Sequence, residues 1–540
     1  MNRGEPRLAD TGRGFTILYR ERNLYSPEDP LGGALKRAAA ARLLARSLVF
    51  VPGVGLGYGL EELLRALPEA SQLFCVETDP SLMALALRGP VPLPRDPRLT
   101  LLATDSPREA AEALRALGLH RFRRLQTVVL CGSYHLDREG YEAIRQALEE
   151  EIRLFWQNRL TLAHLSRLWL RNLFTNLASI PRSGFRTEPA GARPILVAGA
   201  GPSLDRCLPE ILRVRSRVTL LAADTALPAL AEAGCPPDWV FALEAQQANL
   251  EDFLPNRDPG LHLLCDLTSA PAVARLFPRR FFYCTRFHPL ALFDRLAAAG
   301  LLPPELPPLG SVGVAAVQAA LGLTSGPVLL AGLDFAYPGG RTHARGTPAH
   351  RRTLAACFRF RPPGLDAYEA LLARPLLELR SVAGKPLRSD LVLRSYALQL
   401  GRIVEASGRV YDLGGLGLPA GAAPISSARE LDALLGRPAP APAPAPPVFR
   451  PARAAVEAFL RAELERLLRA EEALAGALQA ARRGEPAPAG PKLADALREV
   501  EYVQLPVPEA DPRRLAAPGN LALAAAHARS LRALLERLLS

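Results

Sequence analysis

One stretch near the middle of the chain restricts the fold more than any other, because an apolar run breaks into a glycine-rich turn and a helix start. Residues 195–198 (Ile-Leu-Val-Ala) are typical of a buried strand, and Gly199 and Gly201 permit a tight turn. Pro202 and Ser203 are favoured where a helix begins. Such a turn directs backbone N–H groups at one point, which suits a phosphate. The stretch therefore predicts an α/β domain, with either a phosphate site or an ordinary strand-to-helix turn here.

Polar residues follow several further apolar runs. Asp224 and Thr225 end the run that begins at residue 218, Asp334 ends the run that begins at residue 327, and Ser311 opens a helix of small residues. In an open parallel sheet the carboxyl ends of the strands form the edge at which ligands bind. We expect these residues to join the 199–203 turn in one site, with Asp224 placed to meet a ribose hydroxyl or a base.

Five ordered motifs resemble the motility accessory factor family: GAGPSLD from residue 199, AADTAL from 222, PPDWVFALE from 236, GSVG from 310 and AGLDFAYPGGRTHA from 331. Members of that family are bacterial proteins that glycosylate flagellin. Their central domain is shared with archaeal 6-hydroxymethylpterin diphosphokinases and resembles bacterial sialyltransferases. The resemblance covers about residues 190–420 and, more weakly, the N-terminal region.

The resemblance implies a cytoplasmic glycosyltransferase that moves a nucleotide-activated sugar to Ser or Thr of flagellin or a similar surface protein. The donor is expected to be a CMP-activated nonulosonic acid bound across Gly199, Gly201, Pro202 and Ser203, and no cofactor is firmly predicted. Asp224 and Thr225 would contact the nucleotide. Ser311 and its helix N-terminus would approach the phosphate or the sugar carboxylate.

The expected catalytic set is His343, Tyr337 and Asp334. The sialyltransferases use tyrosines near this strand and a histidine base, but Ala336 stands at the first tyrosine position and Tyr337 follows it. Deprotonating an acceptor hydroxyl needs a base with a pKa near the working pH, so His343 is preferred to His350. An acid directly after a strand also often caps the following turn, and that structural role stays open for Asp334.

A second glycine-rich turn lies near the N-terminus. Residues 47–52 predict a strand, glycines follow at 53, 55, 57 and 59, and Glu77 comes about twenty residues later, as in the first half of a Rossmann fold. This segment also resembles the core of adenosylmethionine-dependent methyltransferases. We expect an accessory or degenerate domain here.

The expected fold class is α/β, with two Rossmann-like domains of parallel sheets flanked by helices and an α-helical C-terminal region. A run of alternating proline and alanine separates that region, because proline cannot continue a helix. The predicted parts are an N-terminal Rossmann-like accessory domain (1–148), a helical connector (149–190), a central donor-binding domain (191–436), a Pro/Ala linker (437–450) and a helical domain (451–540).

Composition narrows the function classes. The chain of 540 residues is 49% hydrophobic and 22% charged, as in a globular protein, and no apolar run reaches the length of a membrane span. The N-terminus is too polar for a signal peptide. The net charge of +12 comes mostly from scattered arginines rather than a basic patch with aromatics, so nucleic-acid binding is not expected. Seven scattered cysteines without a Cys-x-x-Cys pair argue against disulfides and structural zinc.

Two other functions stay open. A pterin diphosphokinase would transfer diphosphate from ATP with Mg²⁺, for which Asp224, Asp238, Glu244 and Asp334 are the available oxygen ligands. No spacing among these acids demands a metal, and none is predicted. The alternative outside enzymology is a non-catalytic motility or flagellar assembly factor, motivated by Ala336. The helical tail suits contact with an acceptor protein or a second copy of the chain.

Overall fold

The computed structural model describes residues 5–186, 191–254, 256, 258–436, 448–483, 491–509, 514 and 516–540. The chain forms two compact units, the first from residues 1–164 and 507–520 and the second from residues 165–506 and 521–540. Residues 437–447 of the expected Pro/Ala linker lie outside the described residues.

The first unit contains a parallel sheet covered by helices and a small antiparallel sheet. Its elements in chain order are β1 (Arg7–Asp10), β2 (Phe15–Tyr19), β3 (Arg22–Asn23), α1 (Gly32–Ala40), β4 (Ser47–Pro52), α2 (Leu60–Ala66), β5 (Gln72–Glu77), α3 (Pro80–Arg88), β6 (Leu99–Ala103), α4 (Pro107–Leu117), β7 (Arg124–Thr127) and α5 (Arg138–Leu177). The parallel sheet has the order β6-β5-β4-β7, and β1, β2 and β3 form the antiparallel sheet. Every residue of β4 and β5 is buried, which explains their continuous apolar sequences.

Helix α5 is longer than the periodicity of its sequence indicates. Apolar spacing predicts a helix from Glu149, but α5 begins at Arg138, because the Asp137 carboxylate accepts a hydrogen bond from the Gly140 N–H at 3.1 Å. The helix continues into the second unit, so the expected boundary at residue 148 falls inside a helix.

The second unit is built on a larger sheet. Its elements in chain order are α6 (Ile180–Ser183), β8 (Phe185–Arg186), β9 (Ile195–Ala198), α7 (Leu204–Val214), β10 (Thr219–Ala223), α8 (Leu227–Glu232), β11 (Trp239–Ala242), α9 (Leu250–Phe253), β12 (His262–Asp266), α10 (Pro271–Leu276), β13 (Arg279–Thr285), α11 (Ala291–Ala298), β14 (Glu305–Leu306), α12 (Val312–Leu323), β15 (Val328–Ala331), α13 (Pro348–Ala355), α14 (Pro363–Leu372), β16 (Leu376–Arg380), β17 (Pro386–Asp390), α15 (Leu391–Ser407), β18 (Val410–Asp412), β19 (Ala423–Pro424), α16 (Ala428–Leu435), β20 (Val448–Phe449), α17 (Arg453–Arg482), α18 (Pro491–Glu499) and α19 (Pro518–Leu539).

The large sheet is parallel throughout and has the order β14-β13-β12-β11-β10-β9-β15-β18-β19. Strands β10 to β14 are added on one side of β9, whereas β15, β18 and β19 lie on its other side. The order therefore reverses between β9 and β15, which is the position where open α/β sheets bind ligands. Helix α12 is almost entirely buried against the sheet, as its sequence of small apolar residues requires.

The helical C-terminal region belongs mostly to the second unit. On α17, the fully buried Glu463 pairs with Arg295 of α11 at 2.7 Å and accepts a hydrogen bond from Tyr502 at 3.0 Å. The expected fold class, with parallel sheets flanked by helices and a helical C-terminal region, is confirmed. In the described part of the chain, no helix is both long enough and apolar enough to cross a membrane.

Candidate donor-binding site

Two loops meet at the reversal point of the sheet, one after β9 and one after β15. The N–H of Gly201 donates to the carbonyl oxygen of Gly332 at 2.8 Å, and that of Gly199 donates to Ala331 at 2.8 Å. A Cβ on Gly199 would lie 2.5 Å from the Gly332 oxygen, and one on Gly332, whose φ is +70°, would overlap the Gly199 carbonyl. These glycines therefore allow two backbones to approach closely.

Asp334 closes the turn that the sequence indicates as a phosphate cradle. Its buried carboxylate accepts a hydrogen bond from the Ser203 N–H at 2.8 Å, at the N-terminus of α7. A Cβ on Gly201 would lie 2.6 Å from the same carboxylate. Burial raises the pKa of Asp334, although the hydrogen bond from Ser203 opposes the change. The N–H groups expected to face a phosphate thus donate to the protein itself, and an internal carboxylate takes the anion's position.

An ion pair and two hydrogen bonds from backbone N–H groups hold the loop after residue 337 against this turn. Arg341 pairs with Asp205 at 2.6 Å, the Arg345 N–H donates to the other Asp205 oxygen at 3.0 Å, and the Ala344 N–H donates to Ala200 at 2.8 Å. The residues joined by these contacts are 136 to 144 positions apart in the sequence, and the contacts fix where the loop that carries His343 lies.

A separate pocket of about 300 Å³ opens where β10 and β11 end. It combines the predicted residues Thr225 and His343 with acids and amides from the loop after β11 and with the start of α13. Its lining residues are Thr225, Glu244, Gln246, Ala248, Asn249, Glu251, Asp252, His343, Pro348, Ala349 and Arg352. Most polar side chains of this lining carry acceptor oxygens. The arginine of the lining, Arg352, is paired with Glu251.

At the pocket wall, the amide of Asn249 is shared by two carboxylates, Asp252 in the lining and Asp224 behind it. The Asn249 Nδ2 donates to Asp224 at 3.0 Å and to Asp252 at 2.8 Å, while Asp224 also accepts from the Thr225 N–H at 2.8 Å. Burial raises the pKa of Asp224 to about 7, with a contribution from Asp252, and burial with repulsion from Glu251 raises that of Asp252 to about 6. Asn249 is nine-tenths buried, and its Oδ1 has no hydrogen-bond partner among the described residues.

The imidazole of His343 lies in this pocket. Burial lowers its pKa and the positive charge of Arg352 lowers it further. Its Nδ1 lies 3.1 Å from the Thr342 hydroxyl, an interaction that orients the ring. Burial also raises the pKa of Glu244 in the same pocket. A neutral imidazole in a concave site can accept a proton from a hydroxyl group.

Ser311 lies at the start of α12, beside the pocket rather than in its lining. Its side chain forms no capping hydrogen bond, and Leu333 fits against both Gly313 and Gly199, which places the N-terminus of α12 next to the 199–203 turn. A Cβ on Gly310 would lie 2.7 Å from the Tyr396 ring.

Tyr337 has a structural partner. Its hydroxyl donates to Asp390 at 2.7 Å, and Asp390 in turn accepts the Leu393 N–H at 2.9 Å as the N-cap of α15. Burial and Asp390 raise the pKa of Tyr337 to about 12. Tyr337 is therefore apart from the pocket that contains His343.

Sequence reasoning missed Asn249, Asp252 and Tyr396. The first two follow β11 in a short polar turn, which is the only signal that could have indicated them. Tyr396 lies mid-helix, where nothing in the sequence distinguishes it. Among the described residues, no group of three His, Cys, Asp or Glu side chains is arranged to hold a metal ion.

In the first unit, side chains of the protein itself occupy the space beside the glycine-rich turn after β4. The Tyr25 hydroxyl accepts the Leu56 N–H at 2.9 Å and occupies the space beside Gly55. Glu77, the acid expected to meet a ribose, is 1% exposed and accepts a hydrogen bond from Tyr141 at 2.6 Å. The residues present therefore do not fit a dinucleotide or adenosylmethionine at this turn.

Comparison with known proteins agrees with this architecture. Residues 169–340 match the family model for 6-hydroxymethylpterin diphosphokinase MptE-like proteins, so the fold and site define a protein with an MptE-like domain. The structure of the MAf glycosyltransferase from Magnetospirillum magneticum AMB-1 has the same fold, with a TM-score of 0.55 and 17% identity over 100% of this chain and 92% of that one. The MptE-like domain expected from the motifs is thereby confirmed over residues 169–340, and the fold shared with the MAf glycosyltransferase agrees with the resemblance to motility accessory factors.

An uncharacterized protein of Treponema pallidum (strain Nichols) is 33% identical over 363 residues, 66% of this chain and 63% of the relative. A second uncharacterized protein of that strain is 31% identical over 90 residues, 15% of this chain and 40% of the relative. The chain thus spans less than two thirds of the length of either relative.

Proposed function

We propose that the chain is a cytoplasmic protein glycosyltransferase that transfers a CMP-activated nonulosonic acid to Ser or Thr hydroxyls of flagellin or a similar surface protein. The observation that carries the proposal is the pocket that His343 lines together with Thr225 and Glu244 at the carboxyl edge of the large sheet. The MAf glycosyltransferase fold supports the same reaction class.

The acceptor-rich wall of the pocket suits the nucleoside end of the donor. Ribose hydroxyls and the exocyclic amine of cytosine are hydrogen-bond donors, and the Asp252 and Glu244 carboxylates in the pocket lining are matching acceptors. The buried Asp224 holds Asn249 in position and does not itself line the pocket.

In the proposed step, His343 accepts the proton of the acceptor hydroxyl as its oxygen attacks the anomeric carbon of the sugar. The bond from that carbon to the phosphate oxygen breaks, and CMP departs with the electron pair. Backbone N–H groups at the start of α12, next to Ser311, would stabilise the leaving phosphate, since Asp334 already caps α7. The nearby Tyr396 hydroxyl is a further donor at that end.

The test is transfer from a CMP-activated nonulosonic acid to purified flagellin, with modified residues mapped by mass spectrometry. We expect His343→Gln to lower kcat by about 10²- to 10⁴-fold, as loss of a general base does, while calorimetry shows unchanged CMP affinity. His350→Gln is the matched control, because the ring of His350 accepts the Gly346 N–H at 3.2 Å and lies outside the pocket lining. Transfer by His343→Gln at the wild-type rate would refute this assignment.

Diphosphate transfer from ATP is the second candidate, favoured by the family match over residues 169–340. That reaction needs Mg²⁺ near the phosphates. Asp252 and Glu244 are the pocket carboxylates that would hold it. Mg²⁺-dependent ATP binding without any response to CMP would replace the glycosyltransferase proposal with this one. Binding of a CMP-sugar with no turnover would favour a non-catalytic assembly factor.

A further inference from the structure

The segment between β15 and β16 exposes apolar side chains that a solvated surface does not need. It comprises α13, a turn at residues 356–362 and α14, and we refer to residues 348–372 as the helical hairpin. Phe358 is 62% exposed and Phe360 is 79% exposed, and Leu354, Tyr368 and Leu372 are each at least half exposed. Clustered exposed apolar residues of this kind mark interaction surfaces.

The hairpin is anchored to the unit on its inner side. Leu371 of α14 is buried and faces Gly340, whereas its neighbours Tyr368 and Leu372 point to solvent. Helix α14 thus has large apolar side chains on its open side beside Glu369, whereas an ordinary surface helix is polar on the open side. The outward apolar side is therefore available to a partner.

The hairpin is continuous with the candidate pocket. Pro348, Ala349 and Arg352 from α13 line the pocket together with His343. Helix α13 has eight residues and is therefore about 12 Å long. A polypeptide seated on Phe358 and Phe360 would present its adjoining residues to His343 from about one helix length away.

The charge around the hairpin selects the partner's chemistry. The hairpin contains four arginines, one aspartate and one glutamate, and two further arginines, Arg341 and Arg345, precede it. Four of the arginines form ion pairs, namely Arg341 with Asp205, Arg351 with Glu232, Arg352 with Glu251 and Arg361 with Glu369. Within the described chain, Arg345 and Arg359 form no ion pair, and the Arg359 guanidinium lies 5.6 Å from the Phe360 ring centre. The open surface therefore combines apolar rings with positive charge.

We propose that the helical hairpin is the docking surface for the acceptor polypeptide, which contributes a segment with apolar side chains next to carboxylates. This proposal rests on the proposed function for the identity of the partner. Apolar contacts with Phe358 and Phe360 supply affinity, and the carboxylates pair with Arg359. The segment then places a Ser or Thr hydroxyl at His343.

The decisive variant is Phe358→Ser/Phe360→Ser, with Leu212→Ser as control, because Leu212 is 47% exposed on α7 and away from the pocket lining. Flagellin binding is measured without donor by fluorescence anisotropy, and transfer is measured separately. We expect the double variant to raise the Kd and the acceptor KM about tenfold, as loss of exposed anchor residues does, while CMP affinity is unchanged. Arg359→Glu should weaken binding in the same direction, most at low salt.

The outcomes separate the two proposals. If the wild-type protein transfers no sugar but binds flagellin through the two phenylalanines, the surface stands and the proposed function fails. If it transfers sugar and the double variant binds like the wild type, the docking surface is wrong. Self-association or binding to phosphatidylglycerol vesicles that only the double variant loses, with flagellin binding intact, would also overturn it, because a second copy or a membrane would then cover the hairpin.

Discussion

Replacing the buried carboxyl group of Asp224 tests the electrostatics of the candidate site directly. Burial raises its pKa from 3.8 to about 7. The unfolded chain therefore releases this proton near pH 4, whereas the folded chain retains it until about pH 7. Because the folded state binds more protons between these values, the free energy of unfolding falls as the pH rises through this interval.

The size of the effect follows from the two pKa values. Each pKa unit is worth about 1.4 kcal/mol, so the whole interval corresponds to about 4 kcal/mol, of which about 2 to 3 kcal/mol falls between pH 5 and pH 8. Asp224→Asn removes the titration and keeps an acceptor oxygen for the Thr225 N–H. We expect the stability of the variant relative to the wild type to rise by about 2 to 3 kcal/mol from pH 5 to pH 8.

The assay is urea unfolding followed by tryptophan fluorescence at pH 5, 6, 7 and 8. Asp294→Asn is the control, since the Asp294 side chain is 72% exposed. Parallel stability profiles for Asp224→Asn and the wild type would show that Asp224 titrates as it does in the unfolded chain. In that case burial does not raise the pKa of Asp224 in the folded protein.

Three further predictions concern groups with internal partners. If the phosphate binds away from Ser203, Asp334→Asn should leave the CMP affinity measured by calorimetry within about threefold of that of the wild type. A gain in affinity of about tenfold or more would instead place the phosphate at the turn that Asp334 caps. Tyr25→Phe should destabilise the first unit by about 1–3 kcal/mol in thermal unfolding, because a buried N–H loses its acceptor, with no adenosylmethionine binding gained. Glu463→Gln should cost about 3 kcal/mol by urea unfolding, since the half-buried Arg295 loses its counter-charge, and an unchanged midpoint would contradict that.

The fold was accessible from the sequence because parallel strands are buried on both faces. The strand predicted at residues 195–198 is β9, and the runs that end before Asp224 and Asp334 contain β10 and β15. Continuous apolar runs separated by helical segments indicate such a sheet without knowledge of tertiary contacts. The start of α5 was not accessible in this way, because it depends on the Asp137 cap rather than on periodicity.

The site was only partly accessible. Thr225 and His343 do line one pocket, since both follow strands of the same sheet edge. The partners that redirect other candidates are distant in sequence: Asp334 reaches Ser203 across 131 positions, and Tyr337 reaches Asp390 across 53. A sequence motif gives the residue types along the chain. It does not show which polar group already has a hydrogen-bond partner far away in the sequence.

The closure of the 199–203 turn also bears on where a donor phosphate would bind in the proposed function. A phosphate at α7 would have to displace the Asp334 carboxylate, which is buried and hydrogen-bonded to the Ser203 N–H, and two anions cannot share one helix N-terminus without strong repulsion. The start of α12 lies beside the same turn, and the Ser311 side chain does not cap it. A donor with its nucleoside against Asp252 and its phosphate at α12 leaves the hydrogen bond between Asp334 and Ser203 intact, whereas a donor phosphate at α7 breaks it. On these grounds we infer, within the proposed function, that the glycine-rich turn positions the start of α12 through Leu333 and that the phosphate binds there.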